Sequence, residues 1–460
     1  MFKTNKSIEM DFSTLRKIYF VGIGGIGMSA IARYFNGLGM EIWGYDKVRT
    51  DLTIELENEG MQLHYHEDLS FIPEGIDLVI YTPAIPKDHQ ELVYFQNNNY
   101  TILKRAEVLG LISRNRKTIA VAGTHGKTTT SSILTYILRT CGIDCTAFLG
   151  GIAQNYNSNF INGKSEWVVM EADEYDRSFL QLNPEIAIVT SMDADHLDIY
   201  GNHDEMKSTY LQFMQQVNGH LILHNNLEID RQNFKSTTHS YGSQHADFSC
   251  SRLRSEAPNF IFDWSSINEQ IKWEDLTFSL AGKHNVENAT AAIAVARLLG
   301  CEEQKIRQAL RTFRGIWRRF EWVFTSPNQV YIDDYAHHPE ELRAAIRASR
   351  SLFPGRKITG VFQPHLYSRT RDFVDGFASA LDELDEIILL DIYPARELPI
   401  EGVSSKIIFD LMKKQNKVIV SKTELISKLK EYNIEILMTL GAGDIGAMTQ
   451  EIKKEIFKNQ

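Results

Sequence analysis

TIAVAGTHGKTTTSSILTYILRTCG, residues 118–142, is the stretch whose reading decides the fold. Thr118 to Ala122 is a short apolar run that reads as a strand, Gly123 to Gly126 as a tight loop, and Lys127 to Arg139 as a helix. The helix places Ile133, Leu134, Ile137 and Leu138 on one face, and Gly142 can end it. A glycine turn between a strand and a helix is what a phosphate-binding loop requires. Backbone N–H groups converge there, and the helix N-terminus adds partial positive charge. Lys127 supplies a point charge for outer phosphates, and the Thr128 hydroxyl can ligate Mg²⁺. The common form of this loop has a further glycine where this chain has Val121, so the loop is a variant. A strand–turn–helix holding Gly and Lys by chance is the bland alternative, and GKTT at a helix start argues against it.

Downstream, two apolar runs end in acidic clusters. Trp167 to Met170 leads into Glu171-Ala172-Asp173-Glu174-Tyr175-Asp176, and Ile186 to Val189 leads into Asp193-Ala194-Asp195-His196-Leu197-Asp198. In open parallel sheets ligands bind beyond the carboxyl ends of strands, so Glu171 and His196 are placed to approach loop-held phosphates. A carboxylate suits Mg²⁺, and a histidine is better tolerated by Mn²⁺. Taken singly, each cluster reads more naturally as a solvated strand end; the nearby phosphate loop tips both toward metal. Residues from about Ser240 to Leu280 read as a short-strand antiparallel excursion, and Val286 to Leu299 as an Ala-rich helix.

Upstream, Ile18 to Val21 is a strand, Met28 to Leu38 a helix stopped by Gly39, and Glu41 to Tyr45 a second strand ending at Asp46. Gly22, Gly24 and Gly27 satisfy G-x-G-x-x-G, so a diphosphate could sit on this helix N-terminus. Alone, that pattern is weak evidence for a nicotinamide dinucleotide. Asp77 to Tyr81 is another strand, followed by Thr82-Pro83-Ala84. The polar stretch Ser113 to Lys117 reads as a surface linker. A third βα rhythm starts near Arg314: Val330 to Ile332 before Asp333-Asp334, a helix from Pro339 to Arg350, Lys357 to Phe362, Glu386 to Leu390, and Glu435 to Leu440. Gly441-Ala442-Gly443-Asp444 repeats the strand-then-glycine device. The expected fold class is α/β with three domains: a Rossmann-like domain over 1–112, a central parallel-sheet P-loop domain that binds ATP over 113–313, and a second Rossmann-like domain over 314–460.

The bulk properties agree. A chain of 460 residues is too long for one core. Its net charge of −10 argues against nucleic-acid binding, so anion sites must be built locally. Cys141, Cys145, Cys250 and Cys301 match no zinc or disulfide spacing, which reads as free thiols in a reducing compartment. Met1 to Asp11 is polar, and the apolar stretch Ile18 to Ala32 is broken by glycines and shorter than a membrane span. The reading is cytoplasmic, with no membrane span.

The motifs GTHGKTTT (123–130), EADEYDRSF (171–179), DADHLD (193–198), GKHN (282–285), DDYAHHP (333–339) and HLYSRT (365–370) together resemble the Mur ligases, along nearly the whole chain. VGIGGIGMSAIA (21–32) and GAGDIG (441–446) resemble the members that add L-alanine to UDP-N-acetylmuramate. The resemblance implies that the first domain binds the UDP-sugar through Gly22, Gly24, Gly25, Gly27, Met28 and Ser29, with Asp46, His66, Thr82 and Ala84 nearby. ATP would lie on Gly123, Thr124, His125, Gly126, Lys127, Thr128 and Thr129. His284, Asn285, Asn288 and Asp334 would face the adenosine, and Arg319 the phosphates. Thr128, Glu171 and His196 would hold Mg²⁺ or Mn²⁺. His338, His365 and Arg369 would lie near the amino acid.

By the same resemblance the γ-phosphoryl of ATP passes to the lactyl carboxylate, and the alanine amine attacks the acyl phosphate. Lys127, His196, His338 and Arg369 are the catalytic candidates, with His338 or His196 as base for the amine. Domain closure would exclude water, with hinges near residues 113 and 314. Two departures stand out. Leu366 occupies a position where the family often has Arg, which shifts carboxylate binding to Arg369. No lysine falls where some relatives carry a carbamylated one: the count from His196 reaches Leu211, with Lys207 the nearest. The expected partners are UDP-N-acetylmuramate and L-alanine, on a monomer or homodimer. A tripeptide-recycling ligase is the rival within the class; a nicotinamide-dependent oxidoreductase and a nucleotide-binding module without turnover are the rivals outside it.

Overall fold

Runs of Val, Ile, Leu and Ala too short to be helices set the three sheets, because parallel strands are buried on both faces. The computed structural model describes residues 10–194, 197–395 and 397–457. The chain divides into two compact units: residues 1–249, 264–272 and 288–309 form one, and 250–263, 273–287 and 310–460 form the other.

The first unit opens with β1 (Lys17–Val21), β2 (Glu41–Tyr45), β3 (Gln62–His64), β4 (Leu78–Tyr81) and β5 (Ile102–Lys104). All pair in parallel in the order β3-β2-β1-β4-β5, so the order reverses between β1 and β4, where a crevice opens above Gly22. The helix Ile26–Gly37 follows the glycine loop, and Gly39 then takes φ +86°.

Next come β6 (Lys117–Ala122), β7 (Thr146–Ala153), β8 (Ser158–Ile161), β9 (Trp167–Ala172), β10 (Ile186–Val189), β11 (His220–His224) and β12 (Thr237–Gly242). β6 lies between β9 and β10, parallel to both. The loop after β6 is therefore flanked by the ends of both acidic strands. The helix Lys127–Thr140 follows that loop, and Gly142 takes φ +94°.

Two expectations need correction here. The excursion expected from about Ser240 is still parallel at that point: β12 pairs in parallel with β11, and β13 (Phe248–Glu256) enters parallel to β12. β12 buries only its last three residues and β13 is largely exposed from Ser251 on, so neither carries the continuous apolar run by which a parallel strand is read. β14 (Asn259–Ser266) and β15 (Ile271–Phe278) follow. The stretch 113–117 is not simply a surface linker. Ser113 is fully buried in the last turn of the helix Arg105–Arg114 and accepts a hydrogen bond from the Asn183 amide, four residues before β6 begins, while Arg114, Asn115 and Lys117 are exposed as a linker would be. One apolar core runs from Ile18 to Leu223 across this junction, so it is packed rather than open.

The second unit holds β16 (Glu321–Thr325), β17 (Val330–Asp334), β18 (Ile358–Phe362), β19 (Glu386–Leu389), β20 (Lys417–Ile419) and β21 (Ile436–Leu440). Their order is β16-β17-β21-β18-β19-β20, parallel except for β16 at the edge. Among the described residues no helix is long and apolar enough to cross a membrane.

Candidate functional site

The phosphate loop is built as its sequence demands. Gly123 takes φ +135° and Gly126 φ +81°, both open to glycine and strained for other residues. The segment after β10 pins the loop: Thr124 Oγ1 donates to the Asp193 carbonyl at 2.8 Å, and the His125 amide donates to Ser191 Oγ at 2.9 Å. Asn288 reaches the other side, its Oδ1 within 2.8 Å of where a Cβ on Gly126 would stand. Thr128 and Thr129 are buried in the first helical turn.

Lys127 lies inside the loop it serves. Its Nζ donates to the Gly123 carbonyl at 2.7 Å and to Glu174 at 2.8 Å. Burial alone would lower its pKa, but Glu174, Asp173 and Glu171 raise it, so the ammonium stays charged. Glu171 projects from the end of β9 and accepts the Gly150 amide at 2.7 Å and Ser131 Oγ at 3.5 Å. Thr128 and Glu171 give an all-oxygen donor pair beside a phosphate loop, which fits a hard divalent cation. His196 lies outside the described residues.

The crevice above β1 gathers a second set. Gly22 takes φ +88°, and a Cβ there would stand 2.9 Å from the Thr82 methyl, so the turn carrying Thr82 and Ala84 closes on the glycine loop. Asp46 accepts the Gly24 amide at 2.7 Å and fixes that loop. Gly25 caps the helix that presents Gly27, Met28 and Ser29. His66 is exposed just beyond β3.

Two residues that sequence reasoning passed over complete this crevice. A Cβ on Gly27 would lie 2.5 Å from an Arg105 guanidinium nitrogen, so that cation rests on the helix N-terminus. Asp173 holds it there at 2.7 Å. A cation beside a positive helix end is favourable when an anion bridges them. Asn159 of β8 is buried; its Nδ2 donates to the Ile26 carbonyl at 2.5 Å and to Ser29 Oγ at 2.9 Å, and its Oδ1 accepts from Arg33. Arg105 stood in the sequence as one basic residue before an apolar helix, and nothing local marked it.

In the second unit, Asn285 is buried and donates to the Ala281 carbonyl at 2.5 Å, while the His284 ring packs over Gly282 at φ +103°. Asp334 accepts the amides of Phe320 and Ala336, both at 2.7 Å, and burial pushes its carboxyl up to about 6. Arg319 lies over the Tyr335 ring, 3.9 Å from Glu341. His338 caps the helix Pro339–Leu352 through its ring nitrogen and packs on Phe373. Arg369 is buried, 3.5 Å from the His365 ring, which stacks on Tyr393. His337, unnoticed in the sequence, faces His365 and pairs with Glu341 at 3.3 Å; burial lowers its pKa to about 4. Leu366, where the family often has Arg, takes φ +68°.

The glycines at 441–446 are not a second phosphate loop. Their carbonyls, not their amides, point inward, and the Arg318 guanidinium fills the turn. It donates to Gly441 and to Gly443, and at 3.0 Å to the fully buried Asp333. Glycine is needed at 446 because Arg318 occupies the space a side chain would take.

A glycine loop between strand and helix beside a carboxylate strand end, with a second glycine loop at the switch point of another parallel sheet, is the architecture of a nucleotide-binding α/β protein. The family models described as "Mur ligase family, catalytic domain", "Mur ligase middle domain" and "Mur ligase, glutamate ligase domain" match residues 17–117, 121–296 and 318–445. The chain belongs to the Mur ligase family. It is 48% identical to the UDP-N-acetylmuramate–L-alanine ligase of Flavobacterium johnsoniae, over 98% of this chain and 100% of the relative. It is 49% identical to that of Flavobacterium psychrophilum, over 97% and 99%. The solved UDP-N-acetylmuramate–alanine ligase of Thermotoga maritima superposes with TM-score 0.83 at 28% identity, covering 96% of this chain and 100% of that one. A murein peptide ligase from Psychrobacter arcticus shares the fold, with TM-score 0.71 at 20% identity over 96% and 98%.

Proposed function

We propose that this chain joins L-alanine to the lactyl carboxylate of UDP-N-acetylmuramate at the expense of ATP, a step in peptidoglycan precursor synthesis. Full-length identity of 48–49% to ligases of that name carries the reading. The phosphate loop with its partly buried lysine supplies the physical basis.

The chemistry asks for positioning and charge neutralisation, not a protein nucleophile. A carboxylate does not react with an amine in water. Phosphorylation of its oxygen turns that oxygen into part of a leaving phosphate, and the amine then adds to the carbonyl carbon. The loop amides of 123–129 and the helix N-terminus hold the β- and γ-phosphates in line. Lys127 exchanges its Glu174 contact for the phosphates and neutralises the moving charge. Thr128 and Glu171 would hold Mg²⁺, which supplies further charge neutralisation when bound. His196 is the third proposed metal ligand.

The UDP-sugar is assigned to Gly22, Gly24, Gly25, Gly27, Met28, Ser29, Asp46, His66, Thr82 and Ala84, with Arg105 added from the geometry. Adenosine is assigned to His284, Asn285, Asn288 and Asp334, the phosphates to Arg319, and the amino acid to His338, His365 and Arg369. His338 accepts the Glu340 amide through Nδ1, so taking a proton there would give up that helix cap. The neutral His337 beside His365 is an additional candidate to take the amine proton. We place the protein in the cytoplasm, as a monomer or homodimer.

Phosphate release with L-alanine, and with the tripeptide of the recycling ligases in its place, tests this. Turnover with L-alanine is expected; turnover with the tripeptide alone would replace the reading.

A further inference from the structure

Behind the UDP-sugar crevice lies a buried chain of titratable groups that the reaction does not use. Tyr19 on β1 and Glu91 on the helix Gln90–Asn97 are fully buried, and His64 at the end of β3 nearly so. Tyr19 Oη lies 2.7 Å from His64 Nε2 and 2.7 Å from Glu91 Oε2. His64 Nδ1 lies 2.9 Å from the backbone carbonyl of His66. The same strand end is tied to the glycine loop: the His64 carbonyl accepts the Asp46 amide, and the Asp46 carboxylate accepts the Gly24 amide.

Counting protons along this chain gives a definite result. A carbonyl only accepts, so His64 Nδ1 must carry hydrogen. Two arrangements then satisfy the remaining contacts. In one, Glu91 is a carboxylic acid that donates to Tyr19, and Tyr19 donates to a neutral His64. In the other, Tyr19 donates to a Glu91 carboxylate, and an imidazolium donates to Tyr19. Both hold the same number of protons. If one proton leaves, two hydrogens remain for three contacts; Tyr19 turns to the Glu91 carboxylate, the charged and stronger acceptor, and His64 has a single N–H for two acceptors. One of its two contacts must then break, because a bare ring nitrogen facing an oxygen lone pair repels it.

We propose that Tyr19, His64 and Glu91 are positioning residues for the sugar nucleotide: while the triad keeps its shared proton it fixes the backbone at His66, and loss of that proton loosens this wall of the crevice. The inference rests on the assignment of the UDP-sugar to this crevice.

The surroundings favour the protonated form. Burial lifts the Glu91 carboxyl to about 7, against the lowering by hydrogen bonds from Tyr19 and the Asp68 backbone, while the charges of Glu67 and Asp68 on the turn after β3 add to the rise. Burial also lowers His64, which faces His66 and His89 as well as Asp68. Tyr45 on β2 faces Tyr19, and burial with Glu91 beside it raises the Tyr19 hydroxyl. Glu91 Oε1 makes no hydrogen bond among the described residues and lies 3.6 Å from His64 Nε2, beyond hydrogen-bond reach, which a carbonyl oxygen of an acid tolerates better than a carboxylate oxygen does. The shared proton is therefore held below neutral pH and released as pH climbs through about 7.

Calorimetric titration of the full chain with UDP-N-acetylmuramate between about pH 6 and pH 8.5 tests this. Affinity of the native chain should weaken roughly fivefold to tenfold across that range, the worth of one hydrogen bond. Glu91→Gln, whose amide donates to Tyr19 at every pH, should bind as tightly as the native chain does at about pH 6 and show no slope. Tyr19→Phe should bind weakly at every pH, with ATP affinity unchanged. A native chain with flat affinity, or Glu91→Gln with the native slope, would overturn the inference while leaving the crevice assignment intact. No binding of the sugar nucleotide by the native chain would instead overturn that assignment.

Discussion

Lys127→Ala separates the two jobs of the loop lysine. Lys127 Nζ sits 2.8 Å from Glu174, whose side chain is 2% exposed. At that distance, and an effective dielectric constant of about 20, the attraction is about 6 kcal/mol before desolvation. Desolvation cancels much of it, and truncating one partner of a buried pair costs about 3–5 kcal/mol, because the remaining charge stays buried. The single variant should therefore melt about 10 °C lower. It should also lose at least about 10³ in turnover, the scale of one preorganised charge on a transferring phosphoryl group. The double variant Lys127→Ala/Glu174→Gln removes the uncompensated carboxylate. Its melting temperature should recover most of the loss while turnover stays down. Thermal melts and phosphate release with ATP, UDP-N-acetylmuramate and L-alanine read the two effects independently. Recovered turnover in the double variant, or less than a tenfold loss in the single one, would refute the assignment of Lys127 to the phosphates.

Other substitutions probe the remaining sites. Arg105→Ala should raise the KM for the sugar nucleotide about tenfold and leave that for ATP within about twofold, measured by initial rates. Glu91→Gln should raise stability at alkaline pH. A carboxyl lifted from 4.5 to about 7 by folding favours the native state fully below its unfolded value. That advantage is lost as pH rises through about 7, so the variant gains up to about 3 kcal/mol above it and nothing near pH 4, read by denaturant titration at both pH values. Arg318→Ala should destabilise the second unit by about 3–5 kcal/mol, because Asp333 is fully buried. Arg318→Lys should not restore it, since one ammonium cannot reach the Asp333 carboxylate and both glycine carbonyls that the guanidinium fork spans; differential scanning calorimetry reads both.

Much of this arrangement was legible in the sequence, for identifiable reasons. Strand, turn and helix at 118–142 are each specified locally: an apolar run, glycines that must take positive φ, and an amphipathic helix with its own stop. Placing Glu171 beside the loop needed only the rule that parallel sheets present their carboxyl ends together. Arg105 and Asn159 could not be found that way. Arg105 is held by Asp173, 68 positions distant, and Asn159 bonds Ile26, Ser29 and Arg33, 126 to 133 positions distant; no periodicity encodes such pairings. The 441–446 glycines were legible as a turn after a strand, but not the Arg318 guanidinium that fills it from more than a hundred residues earlier. The parallel course of β12 was hidden because Thr237–Gly242 is polar and half exposed and lacks the continuous apolar run of a buried parallel strand.

Isotope transfer tests the central claim most directly. UDP-N-acetylmuramate labelled with ¹⁸O in its lactyl carboxylate is turned over with ATP and L-alanine, and the released phosphate is analysed by mass spectrometry. Activation by the loop-held ATP predicts one ¹⁸O atom in each phosphate, carried out of the acid through the acyl phosphate. Phosphate free of label, at equal product yield, would contradict it.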